Sequence, residues 1–183
     1  MADGSAFAGL APGGSSACQS PRAWPRAEPT AFKDGIAHLA SGVAVAACWA
    51  DGGPRGLLVS SLTSLSTEPP RVLFCVRKAT SSHDALLAAA AVSLSILSRE
   101  QQAEAERFSR PDLVHERFGE AWRLDPRAPP SLRAALVSLA GPIYRRIDAG
   151  THTVFILDVS EAVTLRTAPL LYFGRRFETI ALG

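Results

Sequence analysis

The stretch Gly56 to Pro70, GLLVSSLTSLSTEPP, gathers Ser60, Ser61, Thr63, Ser64, Ser66 and Thr67 between leucines and stops on two prolines. A half-buried strand alternates apolar and polar residues, whereas Leu62 and Leu65 stand three apart, so these hydroxyls fall on both faces. The segment is therefore expected to leave regular pairing. Free backbone N–H and C=O groups beside small hydroxyl side chains form an edge that a flat polar heterocycle or a phosphate can approach. A polar loop end has the same composition. A second polar concentration, Arg77, Lys78, Thr80, Ser81, Ser82 and His83, directly follows the apolar run RVLFCV. Cations, hydroxyls and a helix start together suit a phosphate, which favours charge-assisted donors and a positive dipole end. A capped helix in a solvated basic turn would use the same residues. His152, in DAGTHTVFILDV, follows a glycine turn and opens an apolar strand, where a histidine can be structural or catalytic.

Other chemistries have less to stand on. His83-Asp84 after Ser81-Ser82 has the residue types of a hydrolytic triad, but a helix start explains all four, with Ser81 or Ser82 as N-cap. There is no GxSxG, no HExxH and no glycine-rich phosphate loop of standard spacing. Cys18, Cys48 and Cys75 show no CxxC spacing and no histidine cluster, so neither a disulfide framework nor a metal site is expected.

These residues sit among segments that are mostly of strand length. Short apolar runs follow one another: GVAVAACWA, GLLVSSLTSLS, RVLFCVR, AVSLSILS, AALVSLAGPIYRRID, HTVFILDVSEAVTL and PLLYFGRRFETI. Asp51-Gly52-Gly53-Pro54 reads as a hairpin turn between the first two, and Glu68-Pro69-Pro70 breaks the second from the third. Phe32, Ile36 and Leu39 fit one apolar helical face that Gly42 is placed to end; SSHDALLAAAA and REQQAEAERFS are further helix formers. Six or seven strands with a few small helices, without strand-helix alternation, predict a mainly β fold: a closed or nearly closed antiparallel barrel, in preference to a doubly wound parallel sheet.

With 183 residues the chain suits one domain. Residues 1 to 28, rich in Gly, Ala, Ser and Pro and carrying Trp24, read as a flexible tail, leaving 29–183 as the folded domain. Charged residues interrupt every apolar run before membrane-spanning length, so no membrane is expected. A net charge of +2, with Arg145-Arg146 and Arg175-Arg176 the only adjacent arginine pairs, predicts no nucleic-acid groove but leaves room for a small anion. No basic start, apolar core or cleavage site marks a secretion signal at the N-terminus, and a cytoplasmic location is expected.

The three polar places, in this order, resemble the short-chain flavin reductases, the small components of two-component flavin-dependent monooxygenases with an FMN-binding split barrel. The resemblance runs from Phe32 to Phe177 through LASGVAVAACWADGGPRGLLVSSLTSLSTEPPRVLFCV, SLSILSREQQAEAERFS, GTHTVFILDV and PLLYFGRRF. It implies an antiparallel split β-barrel and hydride transfer from NADH or NADPH to FMN or FAD. It further implies a homodimer with its site near the subunit interface, and a separate monooxygenase that receives the reduced flavin. By the same resemblance Ser60, Ser61, Ser64 and Ser66 face the ring and ribityl chain, and Arg77, Lys78, Ser81 and Ser82 take the phosphate. Gly150, Thr151, His152 and Thr153 form the turn near the nicotinamide, with His152 as the catalytic candidate; Gln101, Phe108 and Tyr172 match further family positions. Three residues depart from the pattern. Thr151 replaces an aspartate that could orient or charge the histidine, Leu58 stands where threonine is common, and Ser95 where asparagine is common. Thr151 motivates an alternative, a non-catalytic flavin-binding module on the same barrel. A split-barrel oxidase or haem protein is a third reading.

Overall fold

The apolar runs become strands, and every strand pairing among the described residues is antiparallel. The computed structural model describes residues 25–180. Most of the expected tail, with Trp24 and Cys18, lies outside the described residues. Helix α1, Pro29–Ala37, starts at Glu28, whose Oε2 accepts from the N–H groups of Thr30 and Ala31 at 2.8 and 3.1 Å. It ends before Gly42, which belongs instead to β1 (Ser41–Gly42) because Ser41 and Gly42 pair with a later strand.

Then come β2 (Ala44–Ala50), β3 (Gly53–Val59), β4 (Thr63–Thr67), β5 (Pro70–Arg77), α2 (His83–Ala88) and β6 (Ala91–Ile96). A 3-10 turn, Arg99–Gln101, leads into α3 (Gln102–Ser109), and a second covers Pro111–Glu116. The remaining strands are β7 (Trp122–Arg123), β8 (Ser131–Leu132), β9 (Val137–Ala149), β10 (His152–Asp158), β11 (Glu161–Thr164), β12 (Leu170–Phe173) and β13 (Arg176–Thr179). The last two apolar runs each hold two strands rather than one. Val159-Ser160 divides β10 from β11, and Gly174-Arg175 turns β12 into β13, both residues at positive φ (58° and 64°).

The main sheet runs β3-β2-β6-β9-β10-β5-β4, with β11 added beside β9. Its two edges, β3 and β4, are consecutive in the chain, joined by Ser60, Ser61 and Leu62. The chain thus brings the sheet's ends together without a ladder between them: the expected antiparallel barrel, open along one seam. The interior holds Ala44, Ala46, Phe74, Val92, Leu94, Phe155 and Leu157, with the Phe74 and Phe155 rings stacked at 5.2 Å. The other face of β2 sends Val45 and Ala47, with Val43 just before the strand, into a second core with Leu97, Phe108, Trp122 and Leu170. Burial on both faces explains why this strand is an unbroken apolar run. Where the β10–β11 connection crosses β9, Gly141 is required: a Cβ there would lie 1.9 Å from the Asp158 carbonyl oxygen.

Candidate functional site

The hydroxyl run lies at the seam. β4 pairs with β5 through Thr63↔Leu73 and Ser64↔Val72, a register that sets Ser61 opposite Cys75. At Ser60 to Leu62 the backbone has left the ladder, as expected, and the Ser61 side chain takes its place. Its Oγ donates to the Cys75 carbonyl at 3.1 Å and accepts from the Cys75 N–H at 2.9 Å. Two residues along β5, Arg77 pairs with His152 of β10, and the Lys78 N–H donates to the Thr151 carbonyl at 3.0 Å. The register of two strand pairs therefore brings the three polar concentrations of the sequence to one end of β5.

Around this point the turn between β9 and β10 is held electrostatically. Lys78 Nζ donates to Asp148 Oδ2 at 2.7 Å, and Asp148 Oδ1 accepts from the Gly150 N–H at 2.8 Å. The lysine, and secondarily the Gly150 N–H, hold the Asp148 carboxyl below the usual aspartate range. Gly150 takes φ 73°, and beside it Thr151 Oγ1 and His152 Nδ1 share a 2.9 Å hydrogen bond. The threonine thus orients the ring, as a carboxylate would, without bringing a negative charge. Asp148 carries no motif in the sequence. The signal was its place before the glycine turn, readable only once β9 and β10 are paired.

A groove of about 490 Å³ opens between α1 and the seam, lined by Phe32, Ile36, Leu39, Ser60, Ser61 and Tyr172 among others. Phe32 and Ile36 are 61% and 51% exposed, so the apolar face of α1 covers this groove and contributes nothing to the core. Tyr172 pairs with Ser41 in the β1–β12 ladder and meets Phe177 edge to face at 5.6 Å. The helical spacing of Phe32 and Ile36 on so short a helix is the one sequence signal for this groove.

Other expected site residues are placed elsewhere. Ser66 pairs with Arg71 at the far end of β5, four residues and roughly 13 Å from Cys75. Its Oγ donates to the Pro69 carbonyl at 2.6 Å and closes the β4–β5 turn. Ser64 is exposed on β4 between these ends. Ser81 is exposed ahead of α2, but Ser82 is 3% exposed. Ser82 stands at the N-cap position without capping the helix: its Oγ donates to the Gly56 carbonyl at 2.9 Å, an acceptor beside the turn that wins over the helix. Gln101 accepts from the Ser98 N–H and donates to the Arg133 carbonyl at 3.1 and 3.0 Å; Ser95 accepts from the Leu132 N–H at 3.0 Å, and Phe108 lies in the second core. These three fix loops.

His83 has the partners of a triad without its access. Nδ1 lies 3.0 Å from Asp84 Oδ1 and Nε2 2.9 Å from Thr153 Oγ1, but Thr153 is only 4% exposed. No nucleophile is presented. The contact instead ties α2 to β10, the strand that carries His152. Among the described residues no group of three metal-ligating side chains comes together.

The chain belongs to the flavin reductase like domain family, whose model matches residues 36–181. It is 32% identical over 146 residues to the reductase component of a 4-nitrophenol 4-monooxygenase/4-nitrocatechol 2-monooxygenase from Rhodococcus opacus, covering 80% of this chain and 78% of that one. It is 31% identical over 155 residues to an FMN reductase (NADH) of Methylorubrum extorquens, covering 84% and 76%. Among solved structures it superposes on the Streptomyces globisporus NADH:FAD oxidoreductase in complex with NAD and FAD fragments, with TM-score 0.76 and 28% identity over 83% of this chain and 92% of that one.

Proposed function

We propose that the protein is a NAD(P)H-dependent flavin reductase that reduces FMN or FAD and supplies the reduced flavin to a separate monooxygenase. The observation that carries the reading is the convergence of Ser60–Ser61, Arg77–Lys78 and Thr151–His152 at one end of the barrel seam, beside an open groove. The residues present fit a flavin. An unpaired backbone edge with the exposed Ser60 hydroxyl suits the polar rim of the ring, and the exposed Arg77 and Ser81 with Lys78 suit a phosphate. A bound flavin supplies the hydride acceptor, so no acid, base or metal of the protein is obligatory for that step.

The chain's own work is positional. It must hold two flat rings with reacting atoms about 3–3.5 Å apart. Ser61 keeps the seam edge in register, so that Ser60 and the backbone of residues 60–62 can face the ring. His152, oriented by Thr151, would position the nicotinamide or pass a proton. We place the enzyme in the cytoplasm as a homodimer. Exposed Ile147 and Tyr144 on β9, next to half-buried Val154 and Ile156 of β10, leave an apolar surface suited to a second copy.

Steady-state kinetics with each pairing of FMN, FAD or riboflavin with NADH or NADPH test the reading, repeated for His152→Ala and Thr151→Asp. Reduction well above the rate without protein, lowered in His152→Ala, is the expected result. Flavin binding without turnover for any pair would overturn it in favour of a non-catalytic flavin-binding module.

A further inference from the structure

Of the two cations assigned to the flavin phosphate, one is already engaged. Arg77 makes no ion pair among the described residues. Lys78 Nζ, in contrast, donates to Asp148 Oδ2 at 2.7 Å, and both partners of this pair are held in place by other bonds. The Lys78 N–H donates to the Thr151 carbonyl, and Asp148 stands opposite Thr153 in the β9–β10 ladder. Thr153 Oγ1 is in turn bonded to Nε2 of His83, the first residue of α2, so residues 77–82 are tied at both ends to the same pair of strands. Asp148 is anchored separately through its other oxygen, which accepts from the Gly150 N–H. Both side chains keep a face to water, 39% of the lysine and 73% of the aspartate being exposed. A phosphate can therefore reach the lysine, but only by taking it from a carboxylate that accepts the same charge-assisted bond.

We propose that Asp148 sets how firmly the flavin is held: it competes with the flavin phosphate for Lys78 and so keeps the affinity low enough for reduced flavin to leave for a separate monooxygenase. This role presupposes the reductase reading above, which places the phosphate at Arg77 and Lys78. Asp148 acts only on flavins that carry a phosphate, so riboflavin, which has none, is indifferent to it. An exposed ion pair shifts an equilibrium by up to about fivefold, and the carboxylate lowers phosphate affinity by that order. It does so without touching the seam edge at Ser60 and Ser61, whose partner is Cys75.

Quenching of flavin fluorescence gives Kd for FMN and for riboflavin in wild type, Asp148→Asn, Asp148→Glu, Lys78→Met and the Asp148→Asn/Lys78→Met double variant. Asparagine keeps an oxygen for the Gly150 N–H and removes only the charge. Asp148→Asn should bind FMN about three- to fivefold more tightly than wild type, and riboflavin within about 1.5-fold. Asp148→Glu, which keeps the charge, should stay within about twofold of wild type for FMN. Where Lys78 is already methionine, Asp148→Asn should add less than about 1.5-fold. Anaerobic calorimetry with dithionite-reduced FMN should show the same gain as the oxidised flavin. FMN affinity unchanged or weakened in Asp148→Asn, an equal gain for riboflavin, or a gain that persists without Lys78 would each overturn the competition. A gain confined to oxidised FMN would overturn the role in release. A protein that binds both flavins as expected but turns over neither with NADH or NADPH would instead remove the reductase reading, and the affinities would still decide the role of Asp148.

Discussion

Replacing Ser61 by alanine separates two roles that one hydroxyl could have at this seam. Ser61 Oγ makes two hydrogen bonds, both to the backbone of Cys75, at 2.9 and 3.1 Å. Each such bond contributes about 0.5–1.5 kcal/mol, and where water can replace the lost partner the low end applies. Ser61 is exposed, so the variant should lose about 1 kcal/mol in all, a fall in Tm of about 2–4 °C for a chain of this length. Ser60→Ala provides the contrast: Ser60 is exposed in the groove and lies outside the ladder, so its loss should leave Tm within about 1 °C. Flavin affinity should respond in the opposite order. Ser60→Ala removes the proposed contact to the ring and should weaken flavin binding by about tenfold, whereas Ser61→Ala acts through the edge it holds and should have a smaller effect. Thermal unfolding gives the first quantity, and quenching of flavin fluorescence, measured well below Tm, gives the second. A Ser61→Ala protein with unchanged Tm and a large loss of flavin affinity would refute the reasoning, since its hydroxyl would then serve the ring and not the seam.

Gly141→Ala should destabilise the fold by several kcal/mol, on the order of 3, because the added Cβ meets a backbone oxygen that cannot step aside; urea unfolding reads the loss. The carbon-13 titration of the Asp148 carboxyl should have its midpoint below the ordinary aspartate value and return toward it in Lys78→Ala. A carboxyl lowered in the folded state adds stability at neutral pH, and that contribution should disappear as pH falls through the lowered value. Cys48, whose thiol burial pushes up to about 11, should resist alkylation at pH 8 in the native protein, as peptide mass mapping would show. Arg117 donates to the carbonyls of Gly56, Phe108 and Arg110 at 3.1, 3.3 and 3.0 Å, and burial lowers its pKa. Arg117→Met should therefore cost about 2–3 kcal/mol in chemical denaturation by removing these hydrogen bonds, the Gly56 carbonyl keeping a second donor in Ser82.

Local periodicity and turn chemistry make part of this fold legible from the chain alone. The doubly buried run of β2, the Asp51-Gly52 turn, the small helices and the departure of Ser60 to Leu62 from pairing all follow from residues within a few positions of one another. The order of the three polar concentrations was also legible, and with it the family resemblance. Which of those residues meet depends on long-range packing. Lys78 finds Asp148 across 70 positions, and Ser61 is occupied by Cys75. Ser82 turns to Gly56, Ser66 is carried to the far end of β5, and the apolar face of α1 covers a groove. Each outcome depends on strand register and on how the sheet's two edges approach. Those are settled by burying two cores at once, a condition no short window of sequence contains.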